Sequence, residues 1–175
     1  MAVRPILGVV FSVLLVLAPI APIAAESDCI TIDDFAKAKV GEFPPDWKAR
    51  KDAGKKVYSV QEEGGKRFLH ADAKDVGIQA GKQFESWDLE KYPMLTWSWR
   101  PVQFPTGADE RRSKTNDSVL AVYAVFPHSP VTVKSVKYIW SEVVPKDTHL
   151  SLSKGLTQVR VLETGTARKG EWLDA

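Results

Sequence analysis

The chain has 175 residues, 24 Lys and Arg against 22 Asp and Glu, a formal charge of +2 and a single cysteine, Cys29. Near-neutrality removes the electrostatic drive toward nucleic acid. One cysteine excludes an internal disulfide, so stability must come from a buried core.

Residues 1–25 read as an export signal in three parts: an early charge at Arg4, an apolar run over 6–17, and a small-residue segment closing on Ala24 and Ala25. Pro19 and Pro22 break any helix where a cleavage site needs extended chain, which predicts a cut after Ala25. Glu26, Ser27 and Asp28 are too polar for a lipidation site at Cys29. No later apolar run reaches the roughly twenty residues that span a bilayer, so no stable membrane anchor is expected after cleavage. Residues 26–175 are therefore expected as one domain of a periplasmic or secreted protein.

Short β-rich runs separated by Gly, Pro, Asp and Asn fill that domain, the pattern of an all-β sandwich. In chain order the predicted strands are 29–35, 55–61, 67–72, 76–84, 94–100, 118–126, 133–142 and 156–163. The runs VYSVQ and RFLHA flank EEGGK, where Gly64 and Gly65 supply the positive φ of a tight hairpin turn.

Strand 94–100 alternates Leu95, Trp97 and Trp99 on one face with Thr96, Ser98 and Arg100 on the other. Each indole can bury about 150–250 Å², so exposing both would sacrifice several kcal/mol. That argument makes the tryptophans core and the Ser98/Arg100 face the candidate binding surface. The following loop ends in Asn116 and Asp117. An arginine fork beside amide and carboxylate acceptors suits hydroxyls or a carboxylate. The bland alternative is that Asn116 and Asp117 shape a turn and Arg100 pairs with an acid.

Strand 118–126, SVLAVYAVF, is apolar on both alternating sets and is expected to be central and covered on both faces. Strand 133–142 sets Val136, Tyr138 and Trp140 against Lys137, Ile139 and Ser141, with the same choice between core and platform. The candidate ligand-binding set is thus Ser98, Arg100, Asn116, Asp117, Tyr123, Tyr138 and Trp140.

Enzyme signatures are absent. There is no Gly-x-Ser-x-Gly, no His-Glu-x-x-His, and His70, His128 and His149 are scattered without zinc spacing. No catalytic residue and no cofactor are expected. Asp33, Asp34, Asp109, Glu110, Asn116 and Asp117 are hard oxygen ligands that could hold a structural calcium, although Arg111, Arg112 and Lys114 interrupt them. Two functions stand: a noncatalytic binder of a saccharide or polar small molecule, and a polysaccharide-acting hydrolase that uses a cross-strand carboxylate pair about 5–10 Å apart.

The ordered set IDDF, GEFPPDWKAR, KRFLHADA, YPMLTWSWR, GADERRSKTNDS, VYAVFP, VKYIWS and GEW resembles the bacterial exported family known as domain of unknown function 3047. The resemblance runs from Ile32 to Trp172. It implies a jelly-roll sandwich in the style of carbohydrate-binding modules, and it brings no activity. Members of that family look longer at the C-terminus, so this chain is expected to lack a closing strand. The segment TGTARKGEWLDA reads as too short for another turn and a full strand.

Overall fold

A computed structural model describes residues 29–74, 76–84 and 87–175. The expected leader over 1–25 lies outside the described residues. Strands dominate and helix is nearly absent, so the chain is all-β. Among the described residues no helix is long and apolar enough to cross a membrane. The chain divides into two compact units, residues 1–92 and 93–175.

In the first unit, β1 (Lys48–Ala49) precedes a single helical turn, α1 (Gly54–Val57), and the hairpin β2 (Tyr58–Glu63) and β3 (Lys66–Ala71). Gly64 and Gly65 have φ of 58° and 77°, the positive values that this two-residue connection demands. The hairpin register runs from Tyr58 opposite Ala71 to Glu63 opposite Lys66. β4 is only Ala80–Gly81, paired with β1. The strand expected over 76–84 is that short because its partner offers only two residues.

No strand forms over 29–35. Asp33 Oδ1 accepts the Phe35 N–H at 2.8 Å and Asp34 Oδ1 accepts the Ala36 N–H at 2.9 Å. These local bonds compete with a ladder and bend the chain, leaving Phe35 at φ 56°.

The second unit holds β5 (Ser98–Trp99), β6 (Leu120–Ser129), β7 (Thr132–Ser141), β8 (His149–Leu152), β9 (Thr157–Thr164) and β10 (Leu173–Asp174). Four of them form one sheet in the order β6-β7-β9-β8, with β7 and β9 parallel and the other pairs antiparallel. The remaining two pair as a ribbon, Leu173 opposite Trp99 and Asp174 opposite Ser98.

Two core clusters lie on the two faces of β7. Ile139 joins Val144, Val159 and Val161 on one side, while the next residue, Trp140, joins Trp99 and Leu173 on the other. Consecutive strand residues point oppositely, so the fully buried pair Ile139 and Trp140 marks β7 as the strand covered on both faces. That corrects the expectation for 118–126. β6 is an edge strand, with Tyr123 38% and Val125 54% exposed. Apolarity on both alternating sets did not distinguish an edge from a centre.

Candidate functional site

The ribbon of β5 and β10 resolves the choice posed by Trp97 and Trp99. Trp99 is 6% exposed and Leu173, directly opposite, is 9% exposed. The Trp99 ring packs 5.5 Å from that of Trp97 and 6.0 Å from that of Trp140. Trp97 in turn lies 5.3 Å from the Tyr138 ring. Alternation then turns Ser98, Arg100, Trp172 and Asp174 to the outer face. Beyond the two strand residues the pairing continues, with Ala175 N–H donating to the Trp97 carbonyl at 2.9 Å and Trp97 N–H returning the bond at 3.1 Å.

Two contacts organise that outer face. Ser98 Oγ donates to Asp174 Oδ1 at 2.5 Å. The Arg100 guanidinium lies 4.8 Å from the centroid of the Trp172 ring, which is 43% exposed. A flat indole carrying a planar cation, next to a hydroxyl and a carboxylate, presents stacking surface, donors and acceptors side by side. Sequence reading reached Ser98 and Arg100 but missed Trp172 and Asp174. A strand of two residues leaves almost no periodic signal by which to find them.

The other expected residues fall elsewhere. Asn116 and Asp117 sit in an exposed turn that begins at Asp109, whose N–H donates to the Thr115 carbonyl at 2.8 Å. Asp117 Oδ1 accepts the Ser118 N–H at 2.8 Å. Tyr138 belongs to the aromatic stack behind Trp97. Trp140, expected to contact ligand, is fully buried, and its Nε1 donates to the Gly165 carbonyl at 3.0 Å. A side chain without exposed surface is packing, not platform.

Tyr123 faces a second group of polar residues, of which sequence reading had weighed Glu110 and Asp117 only as calcium or loop ligands and had given Lys137 no role. Lys137 stands directly opposite it across β6 and β7, with Nζ 5.8 Å from the ring centroid. Lys137 is only 8% exposed, and Nζ donates to Ser118 Oγ at 3.3 Å. Burial pushes this ammonium below the ordinary lysine value, against the opposing fields of Glu110 and Asp117. Glu110 is 2% exposed. Its Oε2 accepts from Ser141 Oγ at 2.6 Å, and its Oε1 is buried with no partner among the described residues.

Among the described residues no three His, Cys, Asp or Glu side chains converge on a metal-sized space. Of the carboxylates considered for calcium, Asp109 accepts both Nε and Nη2 of Arg111, at 2.7 and 2.9 Å. The Arg111 bonds hold Asp109 below its usual value although burial pushes the other way. In the first unit, Asp33 Oδ2 accepts the Trp47 indole N–H at 2.8 Å and the Lys82 ammonium at 3.0 Å, at the edge of a cleft of about 270 Å³.

Compared with known proteins, residues 45–175 match the model of a family described as protein of unknown function (DUF3047). No curated protein and no solved structure matches the chain.

Proposed function

Because the chain belongs to the DUF3047 family, whose members share no assigned activity, we propose from the ribbon alone that the protein is an exported recognition module that binds a saccharide or another polar ligand of the cell envelope. The observation that carries this reading is the half-exposed Trp172 ring with Arg100 laid over it, beside the Ser98–Asp174 pair. Indole faces stack on the apolar face of a sugar ring, while a guanidinium fork and a carboxylate take up its hydroxyls. The ribbon pairs the Ser98 hydroxyl with the Asp174 carboxylate, and we take that pair as a recognition element.

A glycan array followed by titration calorimetry tests it. Trp172→Ala and Arg100→Ala should each weaken binding at least tenfold with the melting temperature held to within a few degrees. Absence of binding across cell-wall and plant polysaccharides, or variants that bind as well as the parent, would overturn it.

A further inference from the structure

The margin of the four-stranded sheet carries a surface independent of the ribbon. Ser135 N–H donates to the Leu156 carbonyl at 2.9 Å, which turns the backbone of Ser135, and by alternation that of Lys137 and Ile139, toward β9. Val136 and Tyr138 are then the residues that bond β6, through their partners Ala124 and Val122. The alternate residues of β6 face away from β7. Among the described residues, Ala121 and Val125 have no partner for these outward N–H and C=O groups. Their side chains are exposed as well, and with those of Tyr123 and Pro127 they make an apolar row along one face of the strand. Edge strands are ordinarily blunted by lysine, proline or a bulge. Residues 118–126 contain no charged residue and no proline, and the first proline and the bulge come only at Pro127.

We propose that this edge is an interface between two copies of the chain, joined β6 to β6 in antiparallel fashion about a two-fold axis at Tyr123. A two-fold contact requires a self-complementary patch. The outward residues read the same in both directions, small apolar, tyrosine, small apolar, so Ala121 of each copy lies opposite Val125 of the other. Ala121 N–H donates to the Val125 carbonyl of the second copy and Val125 N–H to its Ala121 carbonyl, with the reciprocal bonds completing the pairing. The strand brings no charge to the axis, so nothing repels a second copy and nothing attracts a charged partner segment. Two four-stranded sheets thereby become one continuous sheet. One strand from each copy buries an area at the small end of protein interfaces, below about 1,200 Å², so the dimer is reversible.

Sedimentation velocity over a concentration series should show the purified protein passing from monomer to dimer, and amide exchange read by nuclear magnetic resonance should slow at Ala121 and Val125 over the same range. Val125→Lys adds an unmatched charge, and Val125→Pro removes an N–H that the β7 ladder does not use. Each should weaken self-association roughly tenfold or more with the circular dichroism spectrum unchanged. With Cys29 replaced by serine, Tyr123→Cys should give a disulfide-linked dimer on mild oxidation and Ala121→Cys should not, because only the residue on the axis meets its own counterpart. A parent protein that stays monomeric at every concentration would overturn the proposal. So would Val125→Lys dimerising as the parent does, or exchange at Ala121 and Val125 that is slow at every concentration, the sign of an edge covered by the chain's own residues.

Discussion

Replacing Trp99 by alanine removes the ring that links the ribbon to the four-stranded sheet. At 6% exposure nearly the whole indole is buried, about 200 Å², and at about 25 cal/mol per Å² its transfer is worth about 5 kcal/mol. Partial collapse of the site recovers some of this, and the losses usual for such truncations are about 3–5 kcal/mol. We expect about 4 kcal/mol for Trp99→Ala. Trp172→Ala, which removes a ring that is 43% exposed, should cost less, in proportion to the smaller area that ring buries. Urea unfolding followed by far-ultraviolet circular dichroism suits both, since fluorescence would change with the tryptophans themselves. The reasoning fails if Trp99→Ala lowers stability by less than about 1 kcal/mol, or if the two variants are equally damaging.

Three further outcomes follow from individual side chains. Trp97 Nε1 is buried without an acceptor among the described residues, whereas Trp140 Nε1 donates to Gly165. Trp97→Phe should therefore cost less stability than Trp140→Phe by about 1–3 kcal/mol, measured by the same unfolding experiment. Lys137 has its folded-state value pushed down by burial from the ordinary 10.5, with Glu110 and Asp117 opposing and Tyr123 and Ser118 alongside. The unfolded chain therefore takes up this proton first as pH falls, so the charge penalises folding at neutral pH and ceases to do so above about 10.5. The stability difference between Lys137→Met and the parent should accordingly shift against the variant as pH rises from 7 to 11 in thermal melts. Burial pushes the Asp33 carboxyl up, but the Trp47 indole, the Phe35 N–H and Lys82 outweigh it and hold it below 3.8. Its contribution is present above that value and lost as pH falls through the lower folded-state value. Asp33→Asn should lower stability near neutrality and flatten the acid limb of a stability-versus-pH curve.

The outer and inner faces of the tryptophan strand were legible because alternation and burial of large rings are local properties, readable at Trp97 and Trp99 directly. The hairpin at Gly64 and Gly65 was legible for the same reason. Sheet order was not: Tyr123 and Val125 look as buried as Ile139 in sequence, and β6 is an edge because β7 is its only partner among the described residues. Asp33 looked like strand and became a turn because its carboxylate bonds the backbone two residues on. Two-residue strands such as β10 leave almost no periodic signal, so Trp172 and Asp174 went unnoticed. Glu110 and Lys137 were hidden for a different reason. Charged residues read as solvated until a loop is seen to cover one and a neighbouring strand the other.

The hydrogen bond from Ser98 to Asp174 spans 76 positions. The ribbon is therefore a latch that closes a long loop around the whole four-stranded sheet, and it is held by a handful of backbone bonds. Short latches fray more readily than the sheets they enclose. The proposed recognition surface is assembled only while the latch is shut, so its lifetime is tied to the opening of the reciprocal bonds between Trp97 and Ala175. A ligand lying across both strands would act as a bolt, slowing exchange of those two amide protons and shielding the segment around Trp172 from proteases without touching β7 at all.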